Sequence, residues 1–251
     1  MSREILITGA GGFLGSKFAK FYSENGFRVI GIDKNKKKLA LIESEDVITI
    51  CADITKETEV KKIYNFLKKK YTILGLINNA AIDAVPKKTS LKNLRYPSID
   101  MWNKEINVSI LGTFLMTKYF GELMLKNKSG SIINIGSDLS FIVPNQNIYK
   151  KAYPNYVKPP TYSVIKHGLL GLTKYYASLY ANSHVRVNMI SPGPIKNTQN
   201  KILIKEIKSV TPMNRLGEYE DLFSLMKLLI EDGSKFITGQ NIFVDGGRTI
   251  I

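Results

Sequence analysis

The run Thr8-Gly-Ala-Gly-Gly-Phe-Leu-Gly15 follows an apolar stretch, Glu4–Thr8, that reads as a β-strand, and precedes a helical pattern. A strand, a tight glycine turn and a helix in that order constrain the fold more than any other feature of the chain. Gly9 allows the turn, Gly12 lets the backbone come close to a bound anion, and Gly15 is expected to let the helix pack closely on the sheet. The free N–H groups of the helix N-terminus then form an anion site suited to a pyrophosphate. Phe13 and Leu14 lie on the same turn.

The rest of the chain repeats the alternation. Strand candidates are Glu4–Thr8, Phe27–Asp33, Val47–Ala52, Ile73–Asn78, Ser131–Ser137, Val185–Ile190 and Asn241–Asp245. Amphipathic segments such as Lys56–Lys70, Trp102–Lys126, Ser163–Ala181 and Tyr219–Glu231 lie between them. This pattern predicts right-handed crossovers and an α/β fold, a doubly wound parallel sheet of about seven strands flanked by helices. No internal repeat or linker divides the 251 residues, so one domain is expected over residues 1–251. Two segments interrupt the rhythm. Residues 141–160 hold Pro144, Pro154, Pro159 and Pro160 with Tyr149, Tyr153 and Tyr156, and are read as non-helical. Residues 196–215 are polar, with a short helical stretch around Ile202–Ile207. Both follow strand ends, where open α/β sheets place their ligands.

Composition narrows the class. No apolar run approaches the roughly 18 residues of a membrane span, the first residues lack the pattern of a secretory leader, and Cys51 is the only cysteine, which together point to the cytoplasm. The net charge is +15, but 30 of the 36 basic residues are Lys. Nucleic-acid readers lean on Arg, so the Lys clusters are read as solvated surface or as a field that draws in anionic substrates, without nucleic acid or membrane as partner. Two histidines make no metal cluster.

Asp33 closes the second strand, where an acid accepts hydrogen bonds from ribose hydroxyls and repels a 2′-phosphate, favouring NAD over NADP. Lys34 and the lysines after it count the other way. Asp53-Ile54 after the third strand and Asn78-Asn79-Ala80-Ala81 after the fourth occupy matching strand ends. Asp53 has a plainer reading too, as an N-cap for the following helix. Tyr162-Ser-Val-Ile-Lys166 puts a phenol and an ammonium on one helical face. A phenol titrates near 10, and a cation one turn away draws it toward the range of an acid–base catalyst. In isolation a strand-end serine is usually a turn residue and a Tyr–Lys pair an ordinary surface pair; the order of Ser137, the Tyr162–Lys166 helix and a Pro-Gly loop is what raises them to a site.

These residues resemble the short-chain dehydrogenase/reductase family, in its compact Rossmann-type form, over essentially the whole chain. The resemblance rests on TGAGGFLG at 8–15, Asp53, NNAA at 78–81, Asn107, Ser137 in INIGS, YSVIK at 162–166, SPGPI at 191–195 and GQNIFVDGG at 239–247. It implies that Ser137 orients the substrate oxygen, Tyr162 carries the proton, Lys166 binds the nicotinamide ribose and tunes Tyr162, and Asn107 holds a water leading to solvent. It also implies cofactor contacts at Tyr162, Lys166, Pro192, Gly193 and Ile195, and a homotetramer. The sequence departs from the pattern at Phe13, where compact members have a glycine, at Ala81, and at Asn197, with Thr198 beside it.

Hydride transfer between the nicotinamide and a carbon bearing a hydroxyl or carbonyl is the expected reaction. Ser137 and Tyr162 are 25 positions apart, a longer separation than compact members show, and the added segment carries Lys150, Lys151 and Lys158 among its tyrosines. Tyrosine faces suit sugar rings and lysines suit phosphate or carboxylate, so the expected substrate is a phosphorylated, nucleotide-linked or acidic sugar. A softer similarity, to reductases of bacterial surface-sugar and flagellin-glycosylation pathways, points the same way. A 3-oxoacyl carrier-protein reductase and a silent dinucleotide sensor are the alternatives; packing of the segment on a neighbouring subunit is the plain reading of residues 141–160.

Overall fold

The computed structural model describes residues 4–82 and 95–251. Seven strands, β1 (Glu4–Thr8), β2 (Arg28–Asp33), β3 (Val47–Cys51), β4 (Ile73–Asn78), β5 (Gly130–Ile135), β6 (Val185–Pro192) and β7 (Asn241–Val244), form one parallel sheet in the order β3-β2-β1-β4-β5-β6-β7. Strands buried on both faces read as unbroken apolar runs, and this is why β1, β4 and β5 show little alternation. The two faces still separate by parity. Leu6, Ile30, Leu76, Ile132 and Val187 belong to one core cluster; Ile5, Ile7, Val29, Ile77, Ile133 and Ile190 belong to the other.

Helices α1 (Phe13–Glu24) and α8 (Phe223–Ile230) cover the second face through Phe18, Tyr22, Met226 and Leu229. Helices α3 (Glu57–Leu67), α4 (Ile99–Asn127) and α6 (Pro160–Tyr180) cover the first. A short α2 (Lys36–Leu39) follows β2. By length and apolar composition α4 is able to cross a membrane, which the sequence reading did not anticipate, but 56% of that apolar window is buried in the fold. Leu115, Met116, Phe120, Leu123 and Met124 place it in the core. It starts at Ile99 rather than Trp102, because Ser98 accepts a hydrogen bond from the Met101 N–H and caps it. It also carries two π turns, Asn107–Leu111 and Thr117–Gly121.

The expected non-helical reading of 141–160 is corrected. Between Pro144 and Pro154 the chain forms α5 (Gln146–Ala152), capped by Asn145. The prolines bound this helix instead of breaking it. Its partner is α7 (Lys201–Ser209), and Ile148, Leu203, Ile207 and Leu216 bury together between them. Lys151 pairs with Glu206 at 2.7 Å on the outside of this contact. The tyrosine-rich segment therefore packs on its own chain.

Strand order reverses between β1 and β4, so helices leave the sheet in opposite directions there and a crevice opens above the strands' carboxyl ends.

Candidate active site

The crevice holds a cavity of about 520 Å³. At one end is the glycine turn. Gly9 takes φ +65°, and a Cβ there would stand 2.8 Å from Ala80 Cα. A Cβ on Gly15 would stand 2.1 Å from the Gly9 carbonyl oxygen, so Gly15 lets the helix close on the turn itself rather than on the sheet as expected. Gly12 caps α1 with no side-chain acceptor, which leaves the first-turn N–H groups for a ligand. Thr8 and Asn79 lock the turn. Thr8 Oγ1 accepts from the N–H groups of Asn79 and Ala80, each at 3.1 Å, while Asn79 Nδ2 donates to the carbonyls of Thr8 and Gly9. Phe13, Leu14, Asn79 and Ala81 face the cavity.

Asp33 stands at the end of β2, its oxygens accepting from the N–H groups of Gly11 at 3.1 Å and Asn35 at 2.9 Å. Lys34 is exposed and borders a separate hollow with Ile82, Asp100 and Lys104. Asp53 accepts from both the N–H and hydroxyl of Thr55. Burial works to raise its carboxyl, but those bonds and the charges of Lys34 and Lys56 outweigh it and hold the group below the usual carboxylate range. The helix after it is capped by Lys56, so Asp53 is not the N-cap. Ile54 is buried against Gly112 of α4.

The other end of the cavity carries Ser137, Tyr162 and Lys166. Ser137 follows β5; Tyr162 and Lys166 lie one turn apart on α6, whose first helical residue is Pro160. Lys166 is buried, donates from Nζ to the Ile135 carbonyl at 2.9 Å, and lies 5.6 Å from the Tyr162 ring centroid. Lys158 Nζ stands over the same ring at 3.8 Å, its backbone clamped by the Gln146 amide through two hydrogen bonds. Tyr149, Tyr153 and Tyr156 line the outer wall with Lys158, whereas Lys150 and Lys151 do not reach the cavity. Pro192, Gly193, Ile195, Asn197 and Thr198 line it from the segment after β6. Asn107 opens the first π turn of α4 and is exposed, outside the cavity wall. π turns are frequent at functional sites.

Two wall residues escaped the sequence reading. Ser137 Oγ donates to Asp138 Oδ1 at 2.8 Å, and Asp138 Oδ2 accepts from Arg248 Nη1 at 2.6 Å. Both partners of that ion pair are buried. Burial pushes the Asp138 carboxyl above its ordinary value, against the pull of the Arg248 guanidinium. Arg248 gets there because Gly246 and Gly247 take positive φ and Asp245 accepts from the N–H groups of Gly247 and Thr249, folding the tail inward. The one available signal was an arginine, rare in this chain, directly after two glycines.

A family model described as enoyl-(acyl carrier protein) reductase matches residues 9–249. A short-chain dehydrogenase from Leptospira borgpetersenii, solved with bound NAD+, superposes with a TM-score of 0.85 at 31% identity, covering 99% of this chain and 93% of that one. The chain is a short-chain dehydrogenase/reductase. A 3-oxoacyl acyl-carrier-protein reductase of Buchnera aphidicola is 34% identical, over 96% of this chain and 95% of its own. An NAD-dependent glycerol dehydrogenase of Listeria innocua is 27% identical, over 98% and 93%. As a family member the protein is an NAD(P)-dependent oxidoreductase acting on CH–OH groups. The glycine cradle and the uncapped α1 N-terminus fit the pyrophosphate of that cofactor.

Proposed function

We propose that the protein interconverts a secondary alcohol and a ketone on a small sugar-derived substrate, using Ser137, Tyr162 and Lys166. The observation that carries this reading is that one cavity joins the glycine turn, through Phe13 and Leu14, to the phenol and the ammonium on α6. When bound, the nicotinamide gives or takes the hydride. The α1 N-terminus and the glycine turn at Gly9, Gly12 and Gly15 hold the cofactor's phosphates. Asp33, with Asp53 and Ile54 nearby, receives its adenosine end and favours NAD. Asn79, Ala80, Ala81, Pro192, Gly193 and Ile195 frame the rest. Lys166, fixed by the Ile135 carbonyl, holds the nicotinamide ribose and keeps positive charge beside Tyr162. Tyr162 takes the hydroxyl proton in oxidation and returns one in reduction. Ser137 turns its O–H from Asp138 to the substrate oxygen as charge develops there. Asn107, at the π turn, seats the water that passes the proton outward.

Segments 141–160 and 196–215 act as the substrate loops, and the tyrosines of α5 and its flank suit a sugar face. The reading places the enzyme in the cytoplasm, on a pathway of surface or flagellin glycans. It also assigns a homotetramer, supported by exposed Leu111 and Phe114 on α4 and Val164 and Leu179 on α6; a monomer in light scattering at micromolar concentration refutes that assignment. The Buchnera relative favours a second reading, reduction of a 3-oxoacyl carrier-protein substrate.

NADH formation across phosphorylated, acidic and neutral sugars separates the two, with an acyl-carrier substrate and NADPH run alongside. Turnover on a sugar supports the first reading. Silence on every sugar with turnover in the NADPH arm replaces it by the second.

A further inference from the structure

Arg248 is the least expected group in the cavity wall. It is 8% exposed and comes from the chain's last few residues, 110 positions from the carboxylate that holds it. An arginine carries five N–H donors in a rigid plane. Among the described residues, this guanidinium's hydrogen bonding is a single bond from Nη1 to Asp138 Oδ2. The side chain lines the cavity, and its other N–H groups have no further hydrogen bond among the described residues.

Asp138 in turn is fixed on both oxygens. Oδ1 accepts from Ser137 Oγ at 2.8 Å and from the Leu139 N–H at 2.9 Å, while Oδ2 takes Arg248. That single bond engages Nη1 and leaves the Nε–Nη2 edge of the fork unused by Asp138, on a side chain that lines the cavity. That edge matches two oxygens of a carboxylate or phosphate. A lysine would supply charge without the fork.

We propose that Arg248 is the substrate's anion-recognition residue, binding a carboxylate or phosphate carried close to the reacting carbon. This deepens the reading of the site as an oxidoreductase acting on a sugar-derived alcohol and rests on it for the position of that carbon. Closeness follows from the chain of contacts, since Arg248 touches Asp138 and Asp138 touches Ser137, the residue that meets the reacting oxygen. A hydroxy acid or a short sugar phosphate fits this span; a substrate whose only charge lies on a distant nucleotide or carrier does not place it there. Asp138 acts as the positioning residue for the fork.

The test is calorimetric binding of 3-hydroxybutyrate, tartrate, glycerol 3-phosphate and neutral glycerol, with and without saturating NADH, so that alcohol probes bind without reacting. The variants are Arg248→Lys, which keeps the charge and loses the fork, the double change Asp138→Asn with Arg248→Gln, which removes the ion pair together, and Lys150→Gln as a surface-charge control. Circular dichroism and NADH affinity establish that each is folded. The expected result is that at least one anionic probe binds the wild type and weakens tenfold or more in both Arg248 variants, with Lys150→Gln and glycerol unchanged. Failure of every anion to bind the wild type, or equal binding by the Arg248 variants, overturns the proposal. Arg248-dependent binding without turnover on any sugar retains the anion site and sinks the sugar-oxidoreductase reading; Tyr162-dependent turnover indifferent to Arg248 does the reverse.

Discussion

Ser137 spends its proton on Asp138 in this structure, and the stability of that arrangement depends on Arg248. Removing one member of a buried ion pair leaves the other desolvated and unpaired, at a cost of about 3 to 5 kcal/mol. Arg248→Ala is therefore expected to lower the unfolding free energy by about 3 kcal/mol, and adding Asp138→Asn to recover part of it, as measured by urea denaturation. The pH dependence has a definite sign. Asp138 is raised by burial in the folded state, and losing Arg248 raises it further. A raised carboxyl binds its proton more tightly folded than unfolded, so its stabilising contribution is complete below the unfolded value near 4 and is lost as pH rises through the folded value. The Arg248→Ala variant should accordingly lose stability relative to wild type as pH increases from about 4 upward; a constant difference across that range contradicts it. That Ser137, Tyr162 and Lys166 share one cavity wall is legible in the sequence, because order and helical spacing bring them together. Arg248 is not, because only tertiary folding carries it across 110 positions to Asp138.

At the scale of elements, the glycine turn separates its members by steric demand. Gly15→Ala drives a Cβ against the Gly9 carbonyl, whereas Gly12→Ala meets that oxygen at 3.0 Å, a contact a small shift relieves. Thermal denaturation with and without NADH should show Gly15→Ala destabilised and weak in NADH binding, with Gly12→Ala closer to wild type in stability. Equal stability loss in both contradicts this account of the turn. The outer wall makes a different prediction. Ile148 is buried in the small α5–α7 cluster, away from the sheet. Its truncation to Ala should cost about 2 kcal/mol and loosen the wall, raising KM more than it lowers kcat. The strands and glycine turn were readable from apolar runs and punctuation, with boundaries off by a residue or two. Helix α5 is hidden from the sequence because four prolines argue against helix across the whole segment; the seven residues Gln146–Ala152 fit between two of them, stabilised by contact with α7 that no local pattern records.

For the whole molecule, the alternation of strands and helices specified a doubly wound sheet, and the observed order places the crevice between β1 and β4 as that architecture requires. The same scale governs encounter. A net charge of +15 should draw an anionic substrate toward the cleft, so kcat/KM for such a substrate should fall as salt rises from about 0.01 to 0.15 M, while that for a neutral alcohol stays level. The central claim, that a phenol on α6 moves the proton beside a cofactor held by the glycine turn, is tested most directly by Tyr162→Phe, assayed for both turnover and NADH affinity. The account predicts turnover reduced by about a thousandfold with NADH affinity within a few-fold of wild type. Turnover that persists in this variant would contradict it.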